Sequence, residues 1–164
     1  MPVALRPGRS AQRGRHKAET AVLGRAEEDP PLLELRLIES PASSAGFPSP
    51  AADYLDLPLD LNQLLVRNPV ATFYVRSAGD SMVDAHINDG DILVVDRSIR
   101  PTFGRIVVAA YDSNLLVKRY GQVRGQAALV SENSAKAAAY PPIIINPELE
   151  LVLWGVVTGV VRKL

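Results

Sequence analysis

Ser81 and Lys118 stand in local settings from which nucleophilic chemistry is built. Ser81 follows Ser77-Ala78-Gly79-Asp80 and precedes Met82, and after Asn88-Asp89-Gly90-Asp91 the apolar run Ile92-Leu93-Val94-Val95 reads as a strand. Gly79 and Asp80 are turn formers, so the Ser81 hydroxyl is expected on a tight bend at a sheet rim. A serine nucleophile needs a base. The histidines are His16, in an Arg-rich tail, and His86, close behind the serine; neither fits a triad, and His86 reads as a surface loop residue. Lys118 fits better, because it interrupts the apolar strand Leu115-Leu116-Val117-Lys118-Arg119-Tyr120. Nonpolar surroundings disfavour ammonium, so a lysine held there gives up its proton near neutral pH and serves as a general base. Serine-lysine dyads are a variant of triad logic. Taken singly, each residue also has a plain structural reading: a turn serine, and a strand lysine pointing to solvent.

The elements that must position these two are mostly strands. Phe73 to Arg76, Ile92 to Asp96, Arg105 to Tyr111, Leu115 to Tyr120, Ala127 to Ser131 and Leu149 to Arg162 are β-rich runs separated by turn residues. Asp112-Ser113-Asn114 is expected to close a hairpin that delivers Lys118 near the sheet's middle. The long last run should bend at Gly155, at a bulge or where one strand is shared between two parts of a curled sheet. Trp154 reads as core or dimer-interface packing, and Glu132-Asn133-Ser134 as structural. Ahead of the sheet, Asp60 to Arg67 predicts a short helix with Asp60 as N-cap and Leu61, Leu64 and Leu65 on one face, closed by Asn68-Pro69. Leu32 to Glu39 alternates well enough for a short strand. Residues 1 to about 31 begin basic and turn acidic at Glu27-Glu28-Asp29, which reads as a solvated tail, or as a weak contact for nucleic acid or a partner.

Composition narrows the function classes. A chain of 164 residues holds one modest domain and a tail, and an apolar fraction of 47% supplies a real core. Net charge is +0, so no overall field draws the chain onto nucleic acid. Cysteine is absent, which removes disulfides, thiol catalysis and cysteine-ligated zinc. With two separated histidines, no metal site and no cofactor are expected. No run reaches the ~18 apolar residues of a membrane span, and no apolar stretch follows the basic start as a secretory signal requires. A cytoplasmic location is expected.

Read together and in order, several motifs resemble the LexA/UmuD (S24) family of self-cleaving serine-lysine peptidases. They are Gly79-Asp80-Ser81-Met82, Asp89-Gly90-Asp91, the Gly104 turn into Ile106-Val107-Val108-Ala109, and Val117-Lys118-Arg119. Gly46-Phe47-Pro48-Ser49-Pro50-Ala51-Ala52-Asp53-Tyr54 and Asp60-Leu61-Asn62-Gln63-Leu64-Leu65 point to the UmuD branch, SOS mutagenesis proteins that serve DNA polymerase V. The likeness runs from about Ala45 to the C-terminus, and the longer, Arg-rich beginning departs from it.

The resemblance implies a mainly β fold, a single curled sheet of the LexA/signal-peptidase type with short helices and an extended, poorly ordered N-terminal arm. It implies Ser81 as nucleophile, Lys118 as base and Ala45-Gly46 as the scissile bond. Residues 1-45 are then an arm removed on self-cleavage, and 46-164 the peptidase domain. The implied partners are a second copy in a homodimer, a RecA filament on single-stranded DNA as co-protease, and a UmuC-like Y-family polymerase subunit. No sequence-specific DNA binding and no membrane contact are implied. Three other functions are weighed against this one. A LexA-type repressor needs a helix-turn-helix domain, which residues 1–44, with Pro2, Pro7, Pro30, Pro31 and Pro41, do not suit. A signal peptidase needs a membrane anchor. An interaction module with a vestigial dyad would show no self-cleavage.

Overall fold

From Thr72 onward, short runs of Val, Ile, Leu and Tyr are cut by turn residues, and each run becomes a strand of one antiparallel sheet. The structure, a computed structural model, describes residues 20–28, 30, 35–37 and 57–164. In chain order the strands are β1 (Thr20–Arg25), β2 (Leu35–Leu37), β3 (Leu57–Leu59), β4 (Thr72–Ser77), β5 (Ile92–Asp96), β6 (Ile106–Tyr111), β7 (Asn114–Val123), β8 (Gln126–Val130), β9 (Ile143–Ile144) and β10 (Leu151–Val161). A short helix, α1 (Leu61–Leu65), separates β3 from β4. The sheet runs β1-β4-β5-β10-β6-β7-β8-β9, and β2 and β3 pair with each other apart from it.

Neighbouring residues of a strand face opposite ways, so Val107 and Val108, like Leu116 and Val117, feed different apolar clusters. Val75, Met82, Ile87, Leu93, Val95, Val108 and Val117 form one cluster, and Val107, Ala109, Leu116, Leu129, Ile143 and Val156 the other. Both faces of the central strands are therefore dry. Trp154 packs edge-on against Phe73 at 5.1 Å, with the Arg97 guanidinium 4.9 Å over its ring.

The hairpin before Lys118 turns through Asp112 and Ser113, both at positive φ (48° and 60°), the conformation whose twist suits a two-residue hairpin loop. It pairs Tyr111 with Asn114 and sets Lys118 opposite Val107 in mid-strand. The last run also behaves as expected. β10 pairs with β6 through Leu151 to Val156 and with β5 through Val156 to Val161, slipping register between Leu153 and Gly155 and again between Val157 and Gly159.

Two expectations need amendment. Asp60 does cap α1, accepting from Asn62 N–H at 2.8 Å, but the helix is one short turn and its leucines do not form a buried face. Leu61 and Leu64 are exposed, while Leu65 turns toward Gly159 of β10. Within the expected tail, residues 20–25 form an edge strand, paired from Thr20↔Ser77 to Arg25↔Phe73. An open sheet edge offers unpaired main-chain donors and acceptors, and an extended segment can satisfy them whatever its side-chain pattern.

Gly155 is where the bend of β10 requires a residue without a side chain. A Cβ there would lie 2.6 Å from Val95 Cγ1 and 3.4 Å from the Asp96 carbonyl oxygen. Gly155→Ala is expected to destabilise the fold by about 1–3 kcal/mol through overpacking, read as a lower urea midpoint at unchanged slope.

Candidate active site

Ser81 sits where β4 ends, on a bend that several main-chain bonds hold in shape. Gly79 takes φ 94°, open to glycine at no steric cost, and its N–H donates to Asp89 Oδ1 at 2.7 Å. Ser77 anchors the start of the bend: its hydroxyl donates to Asn88 O at 2.5 Å, its N–H donates to Asp91 O at 2.9 Å, and its carbonyl accepts from Gly90 N–H at 2.9 Å. On the other side, Glu132 N–H donates to Ser81 O at 2.8 Å and the Asn133 amide to Asp80 O at 2.7 Å. Met82, next in the chain, and Ile87 are buried in the core.

Lys118 comes from the middle of β7 and is 1% exposed, while Ser81 is 2% exposed. Lys118 Nζ lies 2.6 Å from Ser81 Oγ, across 37 positions of chain. The Tyr140 ring, its centroid 5.6 Å from Nζ, favours ammonium by about 0.5–2 kcal/mol. Withdrawing a charge from water costs several kcal/mol even after relaxation. Burial acts the other way and favours the neutral amine.

Next to Lys118, the Arg119 guanidinium grips Glu132 through Nε at 2.5 Å and Nη2 at 2.7 Å, and also donates to Gly104 O at 2.7 Å. Because Glu132 carries the N–H that bonds Ser81 O, this fork ties the lysine's strand to the serine's bend. Asp80 adds a second tie: its carboxylate accepts from Lys136 Nζ and the Tyr140 hydroxyl, which together hold it below the usual carboxylate range. His86 is exposed at φ 60°, and the Glu132-Asn133-Ser134 segment has the bracing role expected of it. Ala45 and Gly46 lie outside the described residues.

One brace gave no signal in the sequence. Asp91 is buried, and Arg162 forks it at 2.6 Å through both Nε and Nη2. Asp91 also accepts from Asn88 N–H at 2.7 Å, so the C-terminal end of the chain fixes the turn that anchors Ser77.

Arg162, then the Asn88 N–H, hold the Asp91 carboxyl below its ordinary range. A carboxylate with a depressed folded pKa contributes stability that is present above its unfolded value, about 3.9, and is lost as pH falls through the folded value. Arg162→Met is expected to cost about 1–3 kcal/mol at pH 7, the cost of leaving a buried acceptor short of a partner. The gap to the wild type should close in acid, which thermal melts between pH 7 and pH 2 would show.

A model of the S24-like peptidases matches residues 36–158, a span that contains both Ser81 and Lys118. The chain is 41% identical to Protein SamA of Salmonella typhimurium over 138 residues, 84% of this chain and 93% of SamA. It is 45% identical to Protein MucA of Escherichia coli over 116 residues, 70% of this chain and 76% of MucA. To LexA repressor 2 of Pseudomonas syringae pv. tomato it is 31% identical over 148 residues, 90% of this chain and 70% of the repressor. A matched family model over most of the chain, and relatives at this identity over most of their own length, place the protein in the S24-like peptidase family.

Proposed function

We propose that this protein is a UmuD-like serine peptidase that cuts its own chain between Ala45 and Gly46, with Ser81 as nucleophile and Lys118 as base. The observation that carries the reading is the 2.6 Å approach of a buried lysine amine to a buried serine hydroxyl. With the amine neutral, the contact reverses polarity and Ser81 O–H donates to the Nζ lone pair. Oγ then attacks the Ala45 carbonyl carbon as its proton passes to Lys118. The oxyanion is met by backbone N–H groups, Ser81's own among them. When the Ala45–Gly46 C–N bond breaks, Lys118 returns the proton to the departing amine of Gly46. Water, deprotonated by Lys118, hydrolyses the ester, leaving an Ala45 carboxylate and a free Ser81.

Residues 1–45 are on this reading the arm and 46–164 the working domain. The stimulus is a RecA filament on single-stranded DNA, which favours docking of the arm. The shortened chain, as a homodimer, joins a UmuC-like Y-family polymerase subunit for translesion synthesis. Identity of 41% to SamA and 45% to MucA, against 31% to the LexA repressor, weighs for this reading over a repressor.

Purified protein should convert slowly to two fragments separated at Ala45–Gly46, faster at pH 10 than at pH 7 because the lysine must be neutral. Intact-mass measurement over time reads both the position and the rate. Ser81→Ala and Lys118→Ala should each remain folded and lose roughly 10⁴-fold or more in rate. Cleavage of either variant at the wild-type rate would remove that residue from the mechanism.

A further inference from the structure

The cut proposed at Ala45–Gly46 falls between two sets of strand pairs. Before it lie β1 and β2; after it lie their partners, β4 and β3. β1 pairs with β4 from Thr20↔Ser77 to Arg25↔Phe73, and the ladder is extended by Ala26, which is buried and donates its N–H to Thr72 O at 2.8 Å. β2 pairs with β3 at Leu35↔Leu59, Arg36↔Pro58 and Leu37↔Leu57. Breaking one bond between Leu37 and Leu57 therefore disturbs neither ladder.

Resting on that reading of the cut, we propose that the severed arm stays docked as a separate peptide, and that the outer edge of β4 is a strand-acceptor site whose resident occupant is residues 20–26. Cutting and release are then distinct steps. The hold is main-chain pairing with little apolar burial, since Ala21, Val22 and Leu23 are exposed. An interface of that kind is exchangeable: any extended segment that offers main-chain donors and acceptors competes for it. While joined to the chain, the arm has the advantage of high effective concentration. Once severed it loses that advantage, and Thr72 to Ser77 becomes an edge that another strand can take.

The test uses the full chain carrying Ser81→Ala and, between Ala45 and Gly46, an inserted recognition sequence for a site-specific endoprotease. After external cutting, both pieces should elute together on native size exclusion and separate in denaturant. A fluorescent peptide of residues 18–30 should exchange into the cut protein and not into the uncut one. Of two successive strand residues one directs its N–H at the neighbouring strand, so A21P/V22P removes a ladder bond in either registry. In the cut chain this pair should speed arm release about tenfold or more, and in the free peptide it should abolish exchange, a readout that does not require the variant chain to fold. An arm lost as soon as it is cut, with no peptide uptake, would overturn the proposal, as would retention and uptake indifferent to the prolines. Failure of the wild type to cut itself would count against the functional reading alone, because here the cut is made from outside.

Discussion

The molecule depends on keeping one lysine amine out of water beside one hydroxyl. An ammonium at the position of Lys118, 1% exposed, is costly, and in the proposed mechanism its neutral form, 2.6 Å from Ser81 Oγ, is the base. Much of the surrounding structure maintains that burial and that distance. The long β7 strand sets Lys118 between dry faces. The Arg119–Glu132 fork then links its strand, through Glu132 N–H, to the carbonyl of Ser81. A lysine directed to solvent from the same strand would keep its proton and serve as no base.

The serine's side of the contact is fixed differently. Ser81 lies on a bend, and a bend has no ladder of its own to hold it. Its shape is imposed from both sides, by the Asn88–Asp91 turn gripping Ser77 and Gly79 and by Glu132 and Asn133 gripping Ser81 and Asp80. Arg162, 71 positions from Asp91, stiffens the first grip, and Tyr140 and Lys136 stiffen the second through Asp80. Such redundancy suits the nucleophile proposed here, whose geometry must be right to a few tenths of an ångström.

What was legible in the sequence follows from which interactions leave local traces. Strands buried on one or both faces leave runs such as Ile92 to Val95 and turn residues such as Asp112-Ser113, and these elements stand where the pattern put them. Ser81 and Lys118 were visible as residue types in the right local settings. Their proximity was legible through the ordered likeness to a family, since spacing carries no distance. β1 left no trace because an edge strand is accepted by its backbone: Ala21-Val22-Leu23-Gly24 shows no alternation, and most of it is exposed. The α1 leucines misled in the opposite sense. Leu61 and Leu64 have helical spacing, yet a single turn ahead of Pro69 offers them no surface to cover. The Asp91–Arg162 and Asp80–Tyr140 contacts join residues too far apart in sequence for any local pattern to register them.

The same geometry bears on how a self-cutting protein survives its own synthesis. The proposed base and nucleophile stand within hydrogen-bond reach, so in that mechanism assembly of the dyad is not the step left to regulate. What varies is the chance that the bond to be cut enters the site. The bond proposed for cutting, Ala45–Gly46, lies in sequence between Leu37 and Leu57, which pair with each other. Closing a stretch of chain at both ends costs it conformational freedom in advance and raises its effective concentration at a nearby site. A stimulus that favours the docked conformer by 1.4 kcal/mol gives about a tenfold faster cut while docking remains rare. Control by docking asks nothing new of Lys118 or Ser81, and it lets both be held as rigidly as their chemistry requires.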